Sequence, residues 1–264
     1  MIPYLFHIYG PLYANCYGIA IFLGLMAMIV LALRDSVLRR IVSDDKLISI
    51  IMTGIAVGVI GGRLLWAITH YATLTDWTEI LRIWEPGFSL LGSVLGVIFV
   101  MPWYIVAQQV PVLPFLDRMA IYVPLAQSIA RVGCFFVGCC HGIETTGLLG
   151  ITYWHSASIA PLGIKVHPTQ LYSSALLLLI FLFMYFVAQR YAQRQGQLAA
   201  LYILLSCAER FFVDFWRANR EFYTSNSFLE LFSITQWLTI VLMIISSLYL
   251  LVSVLQQPLR SNAK

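Results

Sequence analysis

Seven stretches of this chain are long and apolar enough to cross a lipid bilayer, and that leaves few folds open to it. Windows of about 19 residues place them at 13–33, 47–71, 87–107, 119–140, 168–189, 196–216 and 229–254. A hydrocarbon core takes roughly 20 apolar residues as one helix. In lipid every backbone N–H and C=O must be satisfied by the segment itself or by a closed ring of strands, so the choice is helices or a barrel. A barrel needs many ~10-residue segments that alternate polar and apolar side chains; these segments are apolar all round. With 60% hydrophobic and 11% charged residues, against roughly 25% charged in a soluble domain, a water-soluble globule is excluded. The sequence therefore predicts an all-α integral membrane protein of seven transmembrane helices, forming one polytopic domain over residues 1–264.

Seven spans put the termini on opposite sides, and basic loops resist translocation. Arg34, Arg39, Arg40, Lys46, Arg118, Arg190, Arg194, Arg260 and Lys264 share one side; Arg82, Lys165, Arg217 and Arg220 share the other. This bias predicts an external N-terminus and a cytoplasmic C-terminus. The first twelve residues carry no Lys or Arg, unlike the charged start of a cleavable signal peptide, so a retained helix is expected from Tyr13 onward. The net charge of +4 is spread along the chain, with no basic run to bind nucleic acid. The connection 141–167, with five Gly and Pro positions, is the longest external one and suits short strands or a flap. Asp76, Glu79, Arg82 and Glu85 interleave with Trp77 and Trp84 at roughly helical spacing, as in an arm lying on the membrane surface. Gly54, Gly58 and Gly62, with Gly92 and Gly96, recur every four residues, a pattern for close helix packing in lipid.

The chemistry is concentrated in three arginines at membrane depth: Arg63, Arg131 and Arg210. Each costs at least ~2.5–3.5 kcal/mol to insert, so each should face a partner or a polar cavity. Pairing is one reading: Arg210 and Asp214 stand four apart on one helical face, and Glu209 is within reach of Arg131 or Arg63 as an acid of similar depth. Acids are few at that depth, however, and a planar guanidinium fork suits phosphate. The anion available there is a phospholipid headgroup. In RVGCFFVGCCHG, 131–142, Cys134, Cys139, Cys140 and His141 raise the question of zinc, but no second ligand pair stands at matching spacing. The cysteines are expected to be buried small hydrophobes; a covalent cysteine intermediate would need a base such as His141. No metal or cofactor is required. In VHPTQLYSS, His167, Gln170, Tyr172 and Ser173 gather hydrogen-bonding groups at the outer end of the fifth helix.

Taken in order, NCYGIAIFLG around Tyr17, IGGRLLWAITHY, EPGFSLLGSVLGVI, LDRMAIYVPLAQSIARVGCFFVGCCHG, HPTQLY, ERFFVDFWR and SITQW resemble the prolipoprotein diacylglyceryl transferase family over most of the chain. The resemblance implies a seven-helix enzyme of the bacterial inner membrane. Its substrates would be phosphatidylglycerol, drawn from the surrounding membrane lipid, and the lipobox cysteine of a prolipoprotein. A thioether forms and glycerol 1-phosphate leaves. By position, Arg131 and Arg210 resemble the family's two essential arginines, and Tyr17 and Gly142 match positions of functional weight. Arg63, His167, Gln170, Tyr172, Asp214 and Arg217 fall in the matching phrases and are expected substrate contacts, with Gly142 among them.

The chain also departs from the family. Leu91 stands where a phrase like SFHGG carries a functional histidine, Cys134 and Cys139 stand where Asn and Glu are common, Ser206 replaces a Tyr, and Ser173 a Glu. The thiol proton is then left to His141, Tyr17 or His167, of which His141 is the expected base. Two alternatives follow: a related phospholipid-dependent transferase with another acceptor, and a non-catalytic phosphatidylglycerol-binding membrane protein.

Overall fold

The computed structural model describes residues 4–9, 12–71, 76–81, 87–222 and 229–256. It is dominated by helices: α1 (Cys16–Arg34), α2 (Asp44–Thr69), α3 (Leu90–Ala107), α4 (Val112–Val137), α5 (Thr169–Phe183, running on through a π turn to Tyr191), α6 (Gln197–Asp214) and α7 (Ile234–Leu255). Two short antiparallel pairs accompany them, β1 (Tyr4–Tyr9) with β2 (Leu12–Asn15), and β3 (Ile151–Thr152) with β4 (Lys165–Val166). Five helices, α1, α2, α4, α5 and α7, are long and apolar enough to cross a membrane. The chain is an all-α, multi-pass membrane protein.

Two differences from the sequence reading have local causes. The helix expected from Tyr13 begins instead at Cys16, because Leu12–Asn15 is paired as a strand and Asn15 Oδ1 then accepts from Gly18 N at 2.5 Å, a side-chain cap on the first turn. The fourth span expected at 119–140 ends at Val137, where the chain turns through Gly138 at φ +83°. The proposed surface arm lies largely outside the described residues; between them the backbone makes a 3-10 turn over Trp77–Leu81. Arg82, Arg260 and Lys264, used for orientation, also lie outside them.

The chain divides into two units, residues 33–115 and residues 1–32 with 116–264. In the first, α2 packs on α3. The glycine stripe meets α3 as expected, and the closest backbone approach pairs Gly92 of that pattern with Gly61, one residue off it: a methyl on Gly61 would sit 2.6 Å from the Gly92 carbonyl oxygen, and one on Gly92 would sit 2.3 Å from that of Gly61. Here two helix backbones touch, which only glycine allows.

In the second unit α6 packs between α5 and α7. Asp117 near the start of α4 is buried and accepts from Gly196 N at 2.5 Å and Ala199 N at 2.8 Å. A carboxylate thus satisfies orphan donors at the N-terminus of α6 and meets the positive end of that helix. Within the same unit α1 crosses α4 closely, since a methyl on Gly133 would meet Ala20 Cβ at 2.6 Å and Tyr17 Cα at 3.0 Å.

Candidate functional site

The site is assembled where α4 ends, α5 begins and α6 ends. The segment after α4 is held on both sides by backbone hydrogen bonds: Gly142 N donates to the His167 carbonyl at 2.8 Å, Ile143 N to that of Trp216 at 2.8 Å, and Ala218 N to that of His141 at 3.2 Å. Gly142 is the tight point. A methyl there would lie 2.6 Å from both Trp216 O and His167 Cβ. Its bridge to Arg217 fixes the backbone that carries that side chain.

The first turn of α5 pins the preceding turn from the other side. Thr169 Oγ1 donates to the Cys140 carbonyl at 2.6 Å and Gln170 Nε2 to that of Cys139 at 2.7 Å. Held so, Cys140 adopts φ 60°, a left-handed conformation that costs a non-glycine residue roughly 1–2 kcal/mol. Strain of this kind concentrates at functional sites.

Arg131 from α4, Arg210 from α6 and Arg217 just beyond it then line one pocket with Cys140, Thr169, Gln170, Ser173 and Val213. The side chains close on one another and leave no free volume between them. Two polar atoms on this lining, Gln170 Oε1 and Arg217 Nε, are buried and make no hydrogen bond within the described residues. Gln170 is only 1% exposed. Such atoms carry a desolvation cost that a ligand would relieve.

The counter-charges are few and shared. Asp214, 2% exposed, stands 3.7 Å from Arg210 and 3.7 Å from Arg220, and accepts from Ser233 Oγ at 2.5 Å. Glu209 is buried, accepts from Ser173 Oγ at 2.5 Å, and lies in the electrostatic reach of Arg131 and Arg217. Three guanidiniums therefore face Glu209 and part of Asp214, and the pocket is left cationic. Alongside, an apolar groove of about 770 Å³ runs between α1, α4 and α5, walled by Ile19, Leu23, Leu125, Ile129, Val132 and Leu178. Among the described residues no cluster of three His, Cys, Asp or Glu side chains is arranged to hold a metal ion.

Several expected residues are not among those that line this pocket. Arg63 belongs to the other unit, where its Nε donates to the Ile80 carbonyl at 3.2 Å and its Nη1 to that of Gly87 at 2.7 Å, with the guanidinium over the Trp66 and Phe88 rings. Its fork is occupied by the chain. His141 Nδ1 lies 3.2 Å from the Gly138 carbonyl, and the residue is not in the pocket lining. His167 Nδ1 pairs with the Tyr172 hydroxyl at 3.1 Å, and neither lines the pocket. Tyr17 is half exposed, with its phenol in the electrostatic field of Arg131 and of Cys134, Cys139 and Cys140. Sequence reasoning treated Cys140 as a small hydrophobe and passed over Thr169. The HPTQLY motif, which holds Thr169, was the available signal.

Comparison with known proteins gives a consistent picture. The family model described as Prolipoprotein diacylglyceryl transferase matches residues 3–252. A phosphatidylglycerol–prolipoprotein diacylglyceryl transferase of Clostridium tetani (strain Massachusetts / E88) is 32% identical over 238 residues, 89% of this chain and 94% of the relative. One from Paracidovorax citrulli (strain AAC00-1) is 31% identical over 271 residues, 98% and 94%. The transferase 2 of Clostridium perfringens (strain 13 / Type A) is 31% identical over 202 residues, 76% and 78%.

Proposed function

This chain belongs to the prolipoprotein diacylglyceryl transferase family, and on that footing we propose that it moves the diacylglyceryl group of phosphatidylglycerol to the lipobox cysteine thiol of a prolipoprotein. The observation that carries the reading is the convergence of Arg131, Arg210 and Arg217 on one cationic pocket. The phosphodiester binds among these guanidiniums, and its acyl chains lie in the apolar groove walled by the same helices, α4 and α5. The acceptor sulfur attacks the glycerol carbon that bears the phosphate ester. The C–S bond forms, the C–O bond breaks, and glycerol 1-phosphate departs with its added negative charge offset by the arginines. No metal enters this scheme.

The reaction takes place in the bacterial inner membrane. All seven helices span it as one domain, with α3 and α6, 18 residues each, completing the count. The N-terminus is periplasmic and the C-terminus cytoplasmic, as the Lys and Arg bias requires. The connection 141–167, which contains β3 and β4, is then a periplasmic flap over the pocket's outer end.

The test uses the purified chain with labelled phosphatidylglycerol and a lipobox peptide. A lipidated peptide and released glycerol 1-phosphate are expected from the wild type, and neither from Arg131→Gln or Arg210→Gln. Full activity in both variants overturns the assignment. The departures at Leu91, Cys134 and Cys139 favour a second reading, transfer to a different acceptor, which predicts glycerol phosphate release only when that other nucleophile is supplied. Saturable lipid binding without product under any acceptor would mark a binding protein instead.

A further inference from the structure

Resting on that transferase reading, we infer that the Cys140 sulfur is the base that takes the proton from the acceptor thiol as it attacks. Cys140 stands in the turn beyond α4, lines the pocket that holds the three arginines, and is kept in a left-handed conformation by the Thr169 and Gln170 hydrogen bonds to its turn. The neighbouring His141 is directed at the Gly138 carbonyl. The family histidine is Leu91 here, an aliphatic side chain that cannot accept a proton.

The groups around Cys140 favour its thiolate. The neighbouring Cys134 and Cys139 thiols favour a charged sulfur at Cys140 and hold it below the ordinary thiol range, burial opposes them, and the guanidiniums of Arg217 and Arg131 add to the lowering. Arg210 shares the pocket, and the Tyr17 phenol faces the thiols from α1. Thr169, Gln170 and Ser173, which close the pocket from α5, do not titrate. The lowering keeps Cys140 charged and ready to accept a proton at neutral pH, at a cost in basicity that is met as the acceptor sulfur loses its proton in step with bond formation to carbon.

The step balances as follows. The acceptor S–H proton passes to the Cys140 thiolate, and the acceptor sulfur lone pair forms the bond to the glycerol carbon. The C–O pair stays on the departing phosphate, and the proton on Cys140 returns to that phosphate or to water. Cys140 does not serve as the nucleophile, because a thioether on it would have no leaving group from which the diacylglyceryl unit could move on.

Two measurements on the full-length protein in detergent or nanodiscs test this. Iodoacetamide labelling followed per cysteine by mass spectrometry, from about pH 5 to about pH 9, should modify Cys140 ahead of Cys16 and Cys207 at the acidic end, and phosphatidylglycerol should slow it. In transfer kinetics, Cys140→Ser should lose about 100-fold or more in kcat with KM for phosphatidylglycerol within about threefold, and the acid-side fall of the wild-type rate should be absent. The inference is overturned by Cys140 reacting no earlier than Cys207, by wild-type kcat in Cys140→Ser, or by a diacylglyceryl group found on Cys140. A wild type that transfers to no thiol overturns the transferase reading as well; an active wild type with an unaffected Cys140→Ser overturns the base alone.

Discussion

Arg63 and two of the pocket's arginines, Arg131 and Arg210, begin from the same sequence cue, a guanidinium inside an apolar span, and end in opposite chemical states. Arg63 spends its donors on two main-chain carbonyls and covers its faces with two aromatic rings. Arg131 and Arg217 make no hydrogen bond to a main-chain carbonyl among the described residues, and Arg210 meets only a carboxylate that it shares with Arg220. A guanidinium saturated by its own backbone stiffens a fold; one left with unspent donors can hold an outside anion. The lesson is that depth in the membrane marks an arginine as important, while the partners on its five N–H groups decide for what.

That contrast can be broken at several points. The largest effect is expected at the pocket: Arg131→Gln or Arg210→Gln should lower transfer by about 10²–10³-fold or more, with thermal stability nearly unchanged, as read by lipidated peptide yield and a melting curve on the same sample. Arg63→Gln should do the reverse. Losing charged hydrogen bonds and ring contacts should cost about 2–3 kcal/mol of stability, seen as a lowered Tm and reduced yield, while the folded fraction turns over within about threefold of wild type. Equal losses of activity in the two classes would erase the distinction.

Smaller changes sharpen it. Ser173→Ala removes the hydroxyl that donates to buried Glu209 and should cost about 1–2 kcal/mol, with a modest loss in transfer because that carboxylate sits in the field of Arg131 and Arg217. Smallest is Tyr153→Phe. The buried phenol donates to the Phe135 carbonyl at 3.0 Å, and burial pushes its pKa up to about 12. A raised folded pKa means that the phenol's stabilisation is intact below the unfolded value of about 10 and is lost as pH climbs toward 12. The variant should be about 1 kcal/mol weaker at neutral pH and should show a flatter stability curve in that alkaline window, measured by denaturant titration.

Much of this was legible in the sequence because hydrophobic runs and charges within them are local signals. Arg131, Arg210 and Gln170 could be picked out from their own segments. What resisted reading depends on contacts between distant segments. The carbonyls that occupy Arg63 lie 17 and 24 residues away, and nothing local to Arg63 announces them. Cys140 looks apolar by residue type, and its place beside the guanidiniums belongs to a turn held from afar, by Thr169 on the Cys140 carbonyl and Gln170 on that of Cys139, 29 and 31 residues apart. The late start of α1 had a visible signal in Asn15, a good cap placed three residues before Gly18; the apolar run of the neighbouring residues hid it.

The Asp117 contact sets a common zero for two rulers. Arg131 stands fourteen residues beyond Asp117 on α4, and Arg210 stands fourteen beyond Gly196 on α6. At ~1.5 Å per residue both side chains are lifted by about 21 Å from one shared foot, and so arrive level with each other. One residue inserted into either helix would shift its guanidinium by about 1.5 Å and swing it by about 100°, leaving both cations present and no longer matched. The pocket tolerates changes of loop length far better than changes of helix length between that anchor and its arginines.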